Sequence, residues 1–541
     1  MPQLRRWRWL APLLVAQVLH AQAAATVPPS STVYDQLESI SAYYPVRGLF
    51  LGERSLSRRQ IERSVARLMA AVDSGKEERG SARREWARRE VADVQEALGI
   101  GDSARQSSRT TATWSWRGDA STGNAQTRRI TQNGLGSIDA VTEPFEARRD
   151  GWPLVDGAST NIAPTGLISV GDRLAVGAEL LWSQTRVRNG ADANTFALHR
   201  AYARATFHNA ALRVGSDEML WGQSWTSPLF ISGNASPFPA LMVGTDTAVT
   251  LPWLFRLAGP TRGTLFVADL GRSQDPPHAK LAGWQASIEP WTRFELGVSV
   301  LSQMGGSGAP KASFLDRILD LFPVIDALSP AHSDFQFSNK LAGGNLRLRF
   351  PELSGLDLYY ELQIDDFDLR RFRSSIVEDS GHLLGARLPI QTDHGQFVWR
   401  GELHRTSLRL YEHAQFRSGV TYQERIIGDP LGPNAKGAYL TATWTYTPVN
   451  SVEVALADEE RDPSRYHVTV SDTRDRGFRF VLDSVIPHYR TRRALASTEH
   501  ALGFGAVRLT LGYDRAWRSA GTGRNEWLGL VSFRSQRLRT F

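Results

Sequence analysis

The chain has 541 residues, a formal net charge of +7, 41% hydrophobic residues, 16 Trp and no Cys. Without Cys, thiol chemistry, Cys-ligated zinc and iron–sulfur clusters are excluded, and no disulfide stiffens the fold. The charge is mild for this length, and no Lys/Arg run with interleaved aromatics points to nucleic acid.

Residues 1–25 read MPQLRRWRWLAPLLVAQVLHAQAAA, with Arg5, Arg6 and Arg8 before a short apolar stretch from Leu10 to Leu19. Ala21-Gln22-Ala23 and Ala23-Ala24-Ala25 are small-x-small cleavage sites, so 1–25 reads as a secretory signal peptide. Its removal takes three Arg and no acid, leaving about +4. No later stretch offers about 20 consecutive apolar residues. LPWLFRLAG at 251–259 is short and broken by Arg256. The protein is therefore exported and does not cross a membrane as helices.

Residues 26–105 form a PPSS linker and a helical region. Ile61, Val65, Leu68, Met69 and Val72 share one helix face. Ser57 with Gln60 three residues on predicts a capping box, and Asp73-Ser74-Gly75 ends the helix. Ala87, Val91, Val94 and Leu98 repeat the face, and Tyr34, Leu37 and Ile40 predict a short helix before both. This unit is too small to bury much alone and is expected to dock on the rest.

From residue 106 to 541 the period changes to two. In LDLYYELQID, Leu356, Leu358, Tyr360, Leu362 and Ile364 oppose Asp357, Tyr359, Glu361, Gln363 and Asp365. RLAVGAELLW, GNLRLRF, AYLTATWTYT and GAVRLTLGYD alternate in the same way. Runs of about 8 to 11 residues with aromatics near their ends suit tilted crossings of an outer membrane. Short turns such as Val170-Gly171-Asp172-Arg173 alternate with irregular stretches at 217–240, 303–340 and 365–380. A soluble sandwich or propeller also alternates, but no blade-like repeat is present. The expectation is an all-β transmembrane fold: an antiparallel outer-membrane barrel of roughly 16 to 18 strands, whose lumen must be plugged or conduct. Within 303–340, Phe314, Leu315, Ile318, Leu321, Phe322 and Ile325 predict an amphipathic helix in a loop with its own small core, capping one mouth.

Catalytic motifs are absent: there is no GxSxG, HExxH or P-loop, and Gly222-Gln223-Ser224-Trp225-Thr226 fails the first at its last position. Asp365, Asp366 and Asp368, with Glu361 nearby, lack EF-hand spacing and read as a solvated acidic loop beside Arg370 and Arg371. No metal or cofactor is expected. The stretch from Ser216 to Leu241, SDEMLWGQSWTSPLFISGNASPFPAL, fits neither period. Trp221, Trp225, Gln223 and Asn234 are the residue types that stack on sugar faces and bond hydroxyls. Two readings stay open: a glycan site, or two Trp that pack the lumen or sit at the membrane interface.

The segments GSDEMLWGQSWTSPLFISGNASPFPA (215–240), LPWLFRLAGPTRGTLFVADL (251–270), SNKLAGGNLRLRF (338–350) and EHAQFRSGVTYQERIIGDPLGP (412–433) resemble the Wzi family of capsule assembly proteins. The resemblance covers most of the chain from about Tyr34 onward. It implies an 18-stranded outer-membrane barrel, an N-terminal helical bundle plugging the periplasmic side, and a non-enzymatic lectin that holds capsular polysaccharide. Ser236 stands where the family pattern has Arg. The terminal Phe541 is typical of such barrels, but RSQRLRTF does not alternate, so the last strand ends near Phe533 or carries a polar tail.

The first functional reading is therefore a lectin of the bacterial outer membrane, acting as a monomer. Its partners would be capsular or other exopolysaccharide and the surrounding lipid and lipopolysaccharide. Arg347, Arg349 and Arg400 lie on the polar, lumen-facing side of their strands and would attract uronic-acid polymers; ladders with Glu402 and other carboxylates are the alternative role. A channel or porin is the second reading and a surface hydrolase the third.

Overall fold

The computed structural model describes residues 24–75, 81–98, 110–133, 137–143, 145, 151–322, 337–365, 376, 379–447, 450–461, 466–470, 478–482, 489–518, 523–535 and 539–540. Most of the leader, Asp366, Asp368, Arg370, Arg371, Ile325 and Phe541 lie outside them.

Helices α1 (Thr32–Tyr43), α2 (Arg58–Ser74) and α3 (Ala82–Leu98) form the N-terminal bundle. The i, i+4, i+7 apolar faces meet in one core containing Leu37, Ile40, Ile61, Val65, Trp86 and Val91. At the start of α2 the Ser57 side chain accepts from Gln60 N at 3.1 Å, but only this half of the capping box forms. The Gln60 amide instead donates to Gly48 O and accepts from Ala248 N, tying the bundle to the barrel wall.

Among the described residues, eighteen antiparallel strands close into one barrel, from Thr110–Gly123 to Arg524–Arg534. Each pairs with its neighbour in sequence, and the last closes on the first with Arg117 opposite Arg534. The last strand ends at Arg534, and Arg539–Thr540 then pairs again with the first strand.

Burial reverses the rule of a soluble sheet. Along Leu356–Asp365, Asp357, Tyr359, Glu361 and Gln363 are buried while Leu356, Leu358, Tyr360 and Leu362 are half-exposed. Leu403 is 59% and Leu511 71% exposed on the outer face. An apolar exterior around a polar interior is the pattern of a barrel solvated by lipid. No described helix is long and apolar enough to cross a membrane.

Two-residue turns at 208–209, 292–293, 393–394 and 503–504 lie at one end of the barrel, and the long connections lie at the other. The helical bundle docks at the short-turn end: Tyr43 Oη donates to Pro389 O at 2.8 Å and Arg59 pairs with Asp172 at 2.6 Å.

The expected helix in 303–340 is present as Phe314–Asp320, with a full capping box between Ser313 and Asp316. Among the described residues it neither caps a mouth nor buries a core of its own. Phe322 stacks on the outward-facing Trp284, and Asp320 binds Ser338 and Lys340 on the outer wall. Phe314 and Leu315 remain exposed. Periodicity locates the helix but cannot tell a core from lipid as the medium for its apolar face. The turn Trp253–Ala258 likewise exposes Trp253, Leu254, Phe255 and Leu257 at the opposite end.

Asp365 is not a solvated loop residue. It is buried and accepts Tyr411 N at 2.7 Å, because the chain after residue 406 folds back over the lumen. No group of three or more His, Asp or Glu arranged to hold a metal occurs among the described residues.

Candidate functional site: the filled lumen and its lid

The strand Ala210–Ser216 stops partway up the wall, where Gly215 takes φ +114°, and the chain turns inward. Residues 217–238 cross the lumen before the wall resumes at Pro239–Thr245. Two carboxylates on the far wall receive this segment. Glu361 accepts the backbone N–H groups of Gln223, Ser224 and Leu229 at 2.5, 2.7 and 2.9 Å. Glu402 accepts those of Trp225 and Thr226 at 2.6 and 2.9 Å, plus the Tyr359 hydroxyl at 2.6 Å. A buried irregular backbone needs such partners because it has no ladder of its own. Gly222, at φ +136°, is required here: a Cβ would lie 2.7 Å from both Glu361 oxygens.

Of the seven residues singled out from sequence, Trp221, Gln223, Trp225, Arg347, Arg349 and Arg400 lie at this crossing, and Asn234 sits above it against residues 426–427. Gln223 donates to Glu295 and Asn345, each at 2.9 Å, and accepts Arg347 Nε at 2.8 Å. Trp221 is 1% exposed, pairs with the bundle's Glu53 and packs edge-on to Phe266 at 5.2 Å. The Asn234 amide donates to Ile426 O at 2.8 Å. Arg349 pairs with Glu289 and Glu295 at 3.3 and 2.9 Å. Arg400 lies over the half-buried Trp225 ring at 3.8 Å. Six of the seven are thus buried against protein groups, and Trp225 keeps partial exposure. Ser236, the departure from the family pattern, is half-buried.

The bundle adds a central charge. Glu38, on α1, lies among Arg347, Arg400 and Arg387 at 2.7, 3.2 and 3.4 Å. Burial pushes its carboxyl up, but Arg347, Arg387 and Arg400 overcome that and hold it well below the usual carboxylate range. Sequence reasoning misses Glu38 because its helix pattern marks only an amphipathic face.

Ser224 and His404 make no nucleophile–base pair. Ser224 Oγ donates to Glu402 at 3.1 Å. Both imidazole nitrogens of His404 face carboxylates, Asp429 at 2.6 Å and Glu402 at 3.3 Å.

Above the crossing, at the long-loop end, residues 217–238 join the hairpin Arg128–Asn133/Ser137–Thr142 and residues 407–434 in a lid. Ile138, Phe230, Ile231, Phe238, Val420 and Ile426 form its apolar core. Main-chain bonds Ser232 N to Ile427 O (2.8 Å) and Val141 N to Glu424 O (2.7 Å) stitch the three pieces together. Within it a two-residue turn joins Thr421–Tyr422 to Arg425–Ile426. Its central residues Gln423 and Glu424 both have positive φ, +49° and +63°, and both are exposed. Such a turn favours Asn-Gly, and each side chain held there costs about 1–2 kcal/mol. Two short β-prone runs lie two residues apart here, but Gln-Glu is not a turn pair that sequence rules single out.

Fold and lumen together define an outer-membrane β-barrel whose interior is occupied by its own chain. The family model "Capsule assembly protein Wzi" matches residues 140–526, and the chain belongs to that family. An Escherichia coli structure, described as Wzi, an outer membrane protein involved in group 1 capsule assembly and a carbohydrate-binding β-barrel, aligns with a TM-score of 0.66 at 16% identity. The alignment covers 94% of this chain and 99% of that one. A Klebsiella pneumoniae protein described as an uncharacterized 55.8 kDa protein in the cps region is 25% identical over 215 residues, 40% of this chain. The match spans 39% of that relative's own length. The Pseudomonas aeruginosa outer-membrane protein OprD aligns at a TM-score of 0.42 and 9% identity, over 80% of this chain and 96% of that one.

Proposed function

We propose that the protein is a non-catalytic lectin that retains capsular or related exopolysaccharide at the cell surface, with the polymer held on the outer face of the lid. The short-turn end with its helical bundle would face the periplasm, as short turns do in outer-membrane barrels. Family membership supports the polymer class, and the name of the Escherichia coli structure supports carbohydrate as the ligand. The observation that carries the location is the strained, exposed Gln423-Glu424 turn. Strain persists where the side chains are needed, and these two present an amide and a carboxylate to solvent. Beside them, opposite Val141, whose N–H binds Glu424 O, lies the exposed Arg129–Asp139 ion pair, which adds further polar groups to this face. Many weak contacts of this kind along a repeating polymer add up to firm retention.

In this reading Trp221, Gln223, Asn234, Arg347, Arg349 and Arg400 act behind the surface, holding the crossing segment under the lid. Trp225→Ala weakens retention indirectly, through Arg400 and the crossing backbone. A direct test replaces Gln423-Glu424 by Asn-Gly. That pair relieves the turn, deletes the Glu424 carboxylate and draws the amide back by one methylene. The expected result is a melting temperature equal to or above wild type, with affinity for purified capsular polysaccharide lowered about tenfold. Unchanged affinity would remove the lid turn as the contact.

One observation favours a channel for small solutes as a second reading: part of the wall facing the lumen is reached by solvent. Arg508 and Arg534 side chains are each 36% exposed. Stable large conductance steps in a planar bilayer would support the channel, and silence would support the lectin.

A further inference from the structure

The outer wall carries a charged cluster that the lumen chemistry does not use. Arg405, Lys436, Arg490, Arg492 and Arg515 sit at the long-loop ends of Gly395–Thr406, Ala435–Thr445, Tyr489–Leu502 and Gly505–Arg518, with Asp458 and Glu460 at the end of Ser451–Arg461 between them. Alternation turns all seven outward. Thr491, between Arg490 and Arg492, is buried, whereas the side chains of Arg492 and Lys436 are 61% and 64% exposed.

Register places them in two rows. Arg405, Lys436, Glu460, Arg490 and Trp517 stand opposite one another in turn along the rim. Ala438, Asp458, Arg492 and Arg515 form the row below. The next row is Leu440, Leu456, Ala494, Tyr513 and Trp527, apolar with aromatics at one side. A two-residue step along a strand is about 7 Å, so the cations lie just beyond the aromatic level, where lipid headgroups begin.

Five cations face two carboxylates. Asp458 takes Arg490 at 2.5 Å and Arg492 at 3.3 Å, and Glu460 takes Lys436 at 2.9 Å. Arg405 and Arg515 have no ion-pair partner among the described residues. Beneath the cations the wall is concave, an open groove of about 1230 Å³. Ala386, Gly401, Ala438 and Ala494 floor it, and Leu384, Leu403, Leu456 and Tyr513 flank it. Small residues on a lipid-facing wall leave room for acyl chains, and guanidinium groups at the upper edge match phosphate bidentately.

We propose that this groove binds one phosphorylated glycolipid of the outer leaflet, with its phosphates on Arg492, Arg515 and Arg405 and its acyl chains against the groove floor. The position at the long-loop end selects the outer leaflet, and the excess of cations selects an anionic headgroup. The site is independent of the lid, so its failure leaves the polysaccharide reading standing.

The test uses full-length protein, stripped of lipid in detergent and checked for the heat-modifiable mobility of a folded barrel. Native mass spectrometry then follows addition of diphosphorylated lipid A, dephosphorylated lipid A or inorganic phosphate. The expected result is one lipid A retained per barrel. Arg492→Gln with Arg515→Gln should weaken retention about tenfold, and the dephosphorylated lipid should bind wild type no better than that variant binds lipid A. Ala494→Trp, which fills the groove and leaves the cations, should also lower retention. Equal retention of the phosphorylated and dephosphorylated lipids, or an unaffected double variant, would overturn the proposal. Competition by millimolar inorganic phosphate together with an unaffected Ala494→Trp would overturn its lipid component and leave an anion site.

Discussion

The two sides of the lumen use the same residue types with opposite consequences. On the side formed by strands from Pro260–Asp269 to Gly395–Thr406, the inward arginines Arg347, Arg349 and Arg387 are 0%, 1% and 1% exposed at the side chain. Each meets a carboxylate of the bundle or of the wall. On the side formed by Ser451–Arg461, Tyr489–Leu502, Gly505–Arg518 and Arg524–Arg534, Arg508 and Arg534 pair with Glu453 and Glu499 but keep 36% exposure. Arg117 keeps 26%. The difference is occupancy. The bundle and the 217–238 segment fill the first side and exclude water, so an unmade ion pair there leaves a buried charge. On the second side water remains available around Arg508 and Arg534 to replace a lost partner, whereas Glu459, Asp514 and Glu526, nearer the lid, are buried.

The largest effect should come from Glu38→Ala. It leaves Arg347, Arg387 and Arg400 around one missing carboxylate, and breaking such a buried network costs about 3–5 kcal/mol. The bundle should become protease-sensitive while the barrel keeps its heat-modifiable mobility. A resistant bundle would mean that the apolar contacts alone hold it. Because the Glu38 carboxyl titrates well below its ordinary range, its contribution is present above the unfolded value near 4.5. It is lost only as pH falls through the lower folded value, so the bundle should stay docked through mildly acidic pH.

Glu402→Gln should come next. It removes half of the acceptor that holds Trp225 N, Thr226 N and the Tyr359 hydroxyl, at a cost of about 1–3 kcal/mol. Hydrogen exchange should rise over residues 223–229 and not over the outer strands; uniform exchange would show that the crossing is not a separate unit.

Glu90, on α3, tests burial without a paired cation. Burial pushes its carboxyl up to about 7, and the Gln36 amide, donating at 3.1 Å, offsets this only in part. The folded form holds a proton that the unfolded chain has released above about 4.5. Bundle stability should therefore fall as pH rises from about 4.5 to 7 and level off above that. Glu90→Gln should flatten the profile, and a slope unchanged by that substitution would place the titration elsewhere.

Arg508→Gln should have the smallest effect, below about 1 kcal/mol, since a partly exposed pair gains little. A loss as large as that of Glu38→Ala would erase the distinction between the two sides.

Much of this architecture is legible in the chain. Alternation in Leu356–Asp365 and in GNLRLRF marks the strands and puts Arg347 and Arg349 on the polar, lumen face, where the structure has them. What alternation cannot carry is the identity of the medium on each side. The apolar spacing of Phe314–Asp320 gives a helix, but not its place against the outer wall rather than over a mouth. The 216–241 stretch stands out because its backbone obeys neither period. The reason lies far away in sequence: Glu361 and Glu402 supply the partners that a helix or strand would have provided. Trp221 and Gln223 have sugar-binding composition, yet they sit where the bundle meets the crossing segment, a contact that no local pattern encodes. Gln423-Glu424 is silent for the opposite reason, since an unfavourable turn pair leaves no propensity signal.

A barrel partly filled and lidded by its own chain is suited to retaining polymer rather than passing it. The most direct measurement is the ratio of cell-bound to released surface polysaccharide in the source bacterium with and without this protein. Deletion should move polymer into the medium with its total unchanged, and the intact gene should restore the bound fraction. An unchanged ratio would contradict retention.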